Sequence, residues 1–345
     1  MAAASPILSP TATPARRLTD GLGRVIHDLR VSITDRCNYK CVYCRTGEVG
    51  AQYPELKIEE YLRLIKLFVD LGIEKVRLTG GEPLLRSGLL DLVRELAGLR
   101  TLAGEPLDLA LTTNGHLLDG LAEPLKRAGL GRVTVSMDAV DAPTFERITR
   151  VPGSFQAVLA GIRAARAAGL TPLKINCVLL RGFNDSQIEA FAQFAREEAV
   201  VVRFIEFMPL EEGRLWSPEI VVPLTEIVAR IGRVLPLVEL PRREASETAR
   251  RYTFADGAGE IGIVAPVSQA FCGACSRVRL TSDGKIRTCL FSQVEHDLYG
   301  RFRAGAGDAE LRAYVLRTVQ GKEARHHIGE PGFLKPSRSM VHIGG

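Results

Sequence analysis

The sequence predicts an α/β protein, a partial (βα)6 barrel with a C-terminal extension. Three observations predict it. Strand-like and helix-like runs alternate from residue 29 to about residue 210, as parallel βα units do. One face of successive strands is polar. Six of the seven cysteines fall into two triplets, one near each end of the chain. A closed barrel takes eight units. Six are visible, so the barrel is expected to stay partial.

The strand-like runs are 29–34, 75–79, 107–112, 133–138, 173–180 and 201–208. Helix-like stretches lie between them near 58–71, 87–100, 118–128, 154–168 and 186–199. Gly72, Gly129 and Gly169 follow helical runs as stop residues. Strand side chains alternate between faces. Arg30, Ser32 and Thr34 therefore share a face, as do Lys75, Arg77 and Thr79. Ala110, Thr112 and Asn114 continue it, then Thr134, Ser136 and Asp138, then Lys174 and Asn176. If helices cover the apolar face, these polar side chains line a wet, cationic interior. Buried cations need partners, so an anionic ligand is expected there. An open sheet with one wet face is the alternative, and parallel sheets rarely adopt it. The sixth strand fits less well, because Arg203 is out of phase with Glu206 and Met208. A bulge or a late strand end would reconcile them.

The 345 residues are 46% hydrophobic and 25% charged, which excludes a disordered or fibrous chain. No apolar run is long enough for a membrane helix. The net charge of +5 leans only mildly toward anionic partners. Residues 1–22 read as a disordered extension rich in Ala, Ser, Thr and Pro. A short organellar transit peptide is the alternative. Residues 23–215 would form the barrel and 216–345 the extension.

Cys37, Cys41 and Cys44 form C-x3-C-x2-C just after the first strand, at the barrel mouth where loops carry chemistry. Close cysteines in a reducing compartment point to metal ligation. Full protein ligation of a [4Fe–4S] cubane takes four cysteines. Three thiolates leave one iron open, and an open position can bind a cofactor or substrate. Zinc would need a fourth ligand, and His27 is the only candidate close in sequence. Cys272, Cys275 and Cys289 form a second triplet, with a Gly-containing hairpin expected to fold Cys289 back toward the other two. A second cubane with an open iron is one reading, and a zinc knuckle with His296 the other. Arg277 and Arg279 share a strand face with Cys275 and offer guanidinium forks to phosphate or purine acceptors. Cys177 reads as a buried core thiol. Arg242, Arg243, Arg250 and Arg251 read as a solvated basic face.

C-x3-C-x-Y-C, with Tyr43 before the third cysteine, resembles the signature of radical S-adenosylmethionine enzymes. Gly80-Gly81-Glu82-Pro83 after the second strand agrees. FCGACSRVRLTSDGKIRTCLF, with LTGGEPLLR, LTTNG, VSMDAVD, VRFIEFM and a terminal IGG, is similar to the GTP 3′,8-cyclase family from about residue 23 onward.

The resemblance implies a TIM-type partial barrel, two [4Fe–4S] clusters and S-adenosylmethionine. It places Tyr43, Gly81, Ser136 and Met208 against S-adenosylmethionine. It places Arg30, Lys75, Arg77, Thr112, Lys174, Arg203, Arg277 and Arg279 against GTP. Arg277, Arg279, Gly344 and Gly345 are the implied catalytic residues; the two glycines would thread toward the active site, with Arg338 carried in, and fraying is the alternative. The implied reaction is conversion of GTP to (8S)-3′,8-cyclo-7,8-dihydroguanosine 5′-triphosphate, the first step of molybdenum cofactor biosynthesis. Implied partners are a reductant protein, a downstream cyclic pyranopterin monophosphate synthase and a second copy of the chain. A cytoplasmic enzyme without nucleic-acid or membrane partners is expected. A radical enzyme acting on a peptide or tetrapyrrole, and a zinc-bound nucleic-acid module, are the rival readings.

Overall fold

The structure, a computed structural model, describes residues 17–45 and 50–344. Six βα units appear in the expected order. The strands are β1 (Asp28–Ser32), β2 (Lys75–Thr79), β3 (Asp108–Thr113), β4 (Arg132–Ser136), β5 (Lys174–Leu179) and β6 (Val201–Glu206). The helices are α1 (Ile58–Val69), α2 (Leu89–Ala97), α3 (Leu118–Arg127), α4 (Ala142–Thr149), α5 (Ser154–Ala167) and α6 (Ile188–Glu197). Each amphipathic helix buries one stripe. In α1 that stripe is Tyr61, Leu64, Ile65 and Phe68, the spacing that places side chains on one helical face. They pack against Leu29, Val31, Val76 and Leu78 on the outer face of the sheet. Helices thus cover the apolar face, as the strand pattern requires.

Then come α7 (Leu224–Val234), β7 (Leu237–Leu240), β8 (Ala249–Phe254), β9 (Glu260–Val264), β10 (Arg277–Leu280) and β11 (Lys285–Arg287). The chain ends through β12 (His296–Asp297), α8 (Leu298–Arg303), α9 (Asp308–Gln320) and α10 (Met340–Ile343). These C-terminal strands join the same sheet. Its order is β12-β11-β10-β1-β2-β3-β4-β5-β6-β9-β8-β7. β10 runs parallel to β1, and β9 runs parallel to β6. The two positions missing from an eight-strand barrel are therefore filled from the C-terminal region. No hydrogen-bonded pairing joins β9 to β10 among the described residues, so the barrel stays partial.

Four expectations need correction. Residues 17–22 were grouped with the disordered extension, yet Leu18 is fully buried and its amide donates to the Leu71 carbonyl at 2.9 Å. Residues 1–16 lie outside the described residues. The sixth strand ends at Glu206 rather than running to Met208, so no bulge is needed. Alternation holds within it: Arg203 and Ile205 line the interior. The Glu206 carboxylate is buried and accepts from the amides of Leu224, Val267 and Ser268. Arg251 does not lie on a solvated face; it is buried and paired with Glu260 at 2.7 Å. Helix α4 is absent from the sequence reading.

Candidate active site

The first cysteine loop leaves β1 at the C-terminal edge of the strands. The amides of Lys40 and Val42 donate to the Thr149 and Ile148 carbonyls at 3.1 and 3.0 Å. The loop is thus pinned to the end of α4. The Tyr43 hydroxyl donates to Asp138 at 2.5 Å. Gly80 and Gly81 cross behind this loop. A Cβ on Gly80 would meet the Thr34 carbonyl, and one on Gly81 the Arg36 carbonyl. Close approach of two backbones is therefore what requires both glycines. Glu82 is buried and accepts from the Leu84 amide, the Thr113 hydroxyl and the Asn114 amide at 2.7–2.9 Å. Burial still pushes its pKa up to about 7.

The second triplet lies at the opposite end of the barrel. β10 is parallel to β1, so Cys272 and Cys275, just before β10, sit at the N-terminal edge of the strands. β11 returns antiparallel to β10 and carries Cys289 back to the same end. Arg24, which the sequence reading passed over, ties this end together. Its guanidinium pairs with Asp20 at 2.5 Å and donates to the carbonyls of Cys272, Ala324 and Glu323 at 2.9, 2.9 and 2.7 Å. Cys177 is buried in the outer wall, its thiol 3.8 Å from the Asp138 carbonyl, and does not line the cavity.

Between the two ends lies one cavity of about 1130 Å³, lined by all six triplet cysteines. Single small-molecule sites usually hold roughly 300–1,000 Å³, so this one has room for two ligands. Arg30, Lys75, Arg77, Thr112, Ser136, Lys174, Arg203 and Met208 line it, as do Tyr43, Gly81, Arg277 and Arg279. Register explains the convergence: Asp28 pairs with Arg277 and Lys75, and Arg30 with Arg279 and Arg77. Arg77 donates to Thr112 and Thr134 at 3.1 and 3.2 Å. Arg203 donates to Asn176 at 3.0 Å. Arg132 also lines the cavity; the sequence reading placed it just before the strand.

The cations strain one another. Burial, then the charges of Arg30 and Arg203, push the Arg77 pKa down to about 9. Burial, then Arg203, Arg132, Arg77 and Lys75, push Lys174 down to about 7. Burial raises Asp28, but Lys75, Arg30, Arg77 and Arg277 outweigh it and hold its carboxyl below the usual range. Among the described residues, the buried atoms Arg30 Nε, Asp28 Oδ1 and Ser32 Oγ have no hydrogen-bond partner. A wall of this kind is built for a polyanion.

The C-terminal tail enters the cavity. Arg279 donates to the carbonyls of Ile343 and Gly344. Gly344 has φ 72°, and a Cβ there would lie 2.6 Å from Ser32 Oγ and from Thr79 Cγ2. Gly345 lies outside the described residues. Arg338 is not delivered to the cavity, contrary to expectation. It is buried, stacks 3.8 Å from the Tyr53 ring centroid and pairs with Asp283 and Glu295 at 2.8 and 2.7 Å. It anchors the tail.

A model of the radical SAM superfamily matches residues 31–195, and one described as Molybdenum Cofactor Synthesis C matches residues 200–328. The chain is 44% identical to the GTP 3′,8-cyclase of Moorella thermoacetica over 331 residues, covering 95% of this chain and 100% of that protein. It is 44% identical to the GTP 3′,8-cyclase of Acidothermus cellulolyticus over 309 residues, 88% and 84% of the two chains. The chain belongs to the GTP 3′,8-cyclase family. It is a radical S-adenosylmethionine enzyme of molybdenum cofactor biosynthesis. Among solved structures, Streptococcus suis SuiB bound to S-adenosylmethionine shares the fold, at TM-score 0.58 and 14% identity over 84% of this chain and 67% of that one.

The donor sets fit the clusters that this family uses. Among the described residues, no three Cys, His, Asp or Glu side chains converge closely enough to hold a single metal ion. A cubane instead takes its thiolates at separate corners. All six thiols are free and part-exposed to the cavity. No helix among the described residues is long and apolar enough to cross a membrane.

Proposed function

We propose that the chain holds one [4Fe–4S] cluster at each end of the cavity and cyclises GTP between them. The carrying observation is the pair of cysteine triplets at opposite ends of one cationic cavity. Cys37, Cys41 and Cys44 would hold the first cluster, and Cys272, Cys275 and Cys289 the second. With S-adenosylmethionine, the bound clusters supply one-electron chemistry and a carbon-centred radical.

The chain's own residues bind, orient and enclose. Tyr43, Gly81, Ser136 and Met208 border the S-adenosylmethionine site at the first cluster's end. Arg30, Lys75, Arg77, Lys174 and Arg203 offer five cationic groups to a triphosphate carrying about four negative charges. Thr112 fixes the Arg77 guanidinium through its hydroxyl. Arg277 and Arg279 reach from β10 toward the nucleotide beside the second triplet. Holding the base at that end leaves ribose C3′ facing the other, so hydrogen removal and bonding of C3′ to C8 occur in one fixed pose. The tail at Gly344 closes the pocket against water and stray hydrogen donors.

Around the chain we place an electron-donating protein, a cyclic pyranopterin monophosphate synthase that takes the product, a second copy of the chain and a cytoplasmic setting. The test is anaerobic incubation of cluster-reconstituted protein with S-adenosylmethionine, reductant and either GTP or ATP. The expected result is 5′-deoxyadenosine together with an isomer of GTP at unchanged mass, from GTP only. Cofactor cleavage indifferent to GTP would reject the substrate assignment.

A further inference from the structure

Lys322 is a buried ammonium with no carboxylate within ion-pair distance among the described residues. It lies two residues beyond α9 and lines the cavity at the second triplet's end. Its Nζ donates to the Thr288 carbonyl, the residue before Cys289. That bond occupies one of three ammonium donors. Neighbouring Glu323 does not neutralise it: that carboxylate accepts from the Thr288 and Ser292 hydroxyls. Buried Arg24, Arg287 and Arg338 each have an acidic partner at 2.5–2.8 Å. Lys322 does not.

A buried charge without a counter-charge is expensive. The anions nearest Lys322 in chemical terms are the thiolates. The positive charge of Lys322 acts on Cys275 and on Cys289, and that of Arg277 on Cys275. Arg277 Nη2 also lies 3.3 Å from Cys275 Sγ. At the first triplet the carboxylates Glu82, Asp138 and Glu212 act on the thiols beside the one cation Arg45.

We propose that Lys322 is the counter-ion of the C-terminal cluster and raises that cluster's reduction potential. Reduction adds one negative charge to a centre already anionic through its thiolates. A fixed cation in a low-dielectric wall stabilises the reduced form more than the oxidised form. Lys322 thus acts through the cluster as a positioning and tuning residue, one shell behind the thiolates. The inference rests on the reading that Cys272, Cys275 and Cys289 hold a [4Fe–4S] cluster.

The test is a redox titration of the full, anaerobically reconstituted chain, followed by electron paramagnetic resonance. S-adenosylmethionine perturbs one cluster's signal and GTP the other's, which separates the two potentials. Lys322→Gln keeps a donor for the Thr288 carbonyl and removes the charge. Lys322→Arg keeps the charge. The expected result is a more negative potential for the GTP-sensitive cluster in Lys322→Gln, restored by Lys322→Arg, with the other cluster unmoved. Loss of about four irons per chain in Lys322→Gln but not in Lys322→Arg supports the same role, since charge would then be needed to retain the cubane. Unmoved potentials, equal shifts of both clusters, or loss of iron in both variants would overturn it. Failure of the underlying reading looks different: the unsubstituted chain would hold only about four irons and show no GTP-sensitive signal.

Discussion

At the residue scale, Lys174 carries a pH dependence whose sign follows from its surroundings. Burial and four neighbouring cations hold its pKa at about 7 in the free protein. A bound triphosphate supplies the missing negative charge and raises that value. Binding therefore takes up a proton above pH 7. The affinity present below pH 7 falls by up to about tenfold per pH unit above it, until the pKa of the complex is reached. Titration calorimetry at pH 8 in two buffers of different ionisation heat is expected to give proton uptake near one. Lys174→Met should abolish the pH dependence and weaken GTP binding about 10–100-fold at pH 6.5, the range for hydrogen bonds to charged groups. Buffer-independent heats in the unsubstituted chain would refute the assignment. Gly344 makes a second case. A methyl group at φ 72° would meet Ser32 and Thr79 and displace the tail. Gly344→Ala should lower cyclised product about 10²-fold, the order expected for misplacement by roughly 1 Å. 5′-Deoxyadenosine should still form. The ratio of the two products is the measurement.

At the scale of elements, the anchoring of the tail depends on a hairpin far from it in sequence. Asp283, in the β10–β11 turn, and Glu295 clamp Arg338 from both sides. Removing one partner from a buried ion pair costs about 3–5 kcal/mol. Arg338→Gln is expected to destabilise the fold by that order and to free the tail. Carboxypeptidase should then remove the terminal residues faster, while S-adenosylmethionine cleavage continues. Unchanged digestion would mean that Arg279 alone retains the tail. These elements also show what was legible. Six strands and their polar face follow from period-two patterning, because one face must meet helices and the other a polar interior. The hairpin follows from Ser282-Asp283-Gly284. Helix α4 was missed although Asp141 caps it by accepting from the Thr144 amide at 2.9 Å; eight residues after a strand give too few turns for a clear period. Strands β8 and β9 were missed because alternate residues such as Arg251 and Glu260 face the polar cavity wall, and β7 because it is a four-residue strand at the sheet edge. The Arg24 clasp was invisible for another reason: its acceptors are mostly backbone carbonyls, and any residue has one.

At the scale of the whole molecule, one sheet separates the two cysteine triplets. The strands between them hold about five residues, so the ends lie roughly 17 Å apart at 3.3 Å per residue. Chemistry at one end and substrate capture at the other can then fail independently. Cys289→Ala removes a thiolate from the second triplet only. Iron is expected to fall from about eight to about four per chain, as loss of one cubane requires. 5′-Deoxyadenosine should still form, but GTP should no longer stimulate it and no cyclised product should appear. Cys41→Ala reverses the pattern. It should abolish cofactor cleavage while leaving GTP binding and the GTP-dependent change in the remaining cluster's spectrum. The two variants together separate a divided site from a single cooperative centre. If either one lost both cleavage and GTP binding, with the chain still folded by circular dichroism, the ends would be coupled through the sheet. The continuous run from β10 through β1 to β9 offers the path for such coupling. The cavity would then act as one centre, and its cationic wall as the link between the ends.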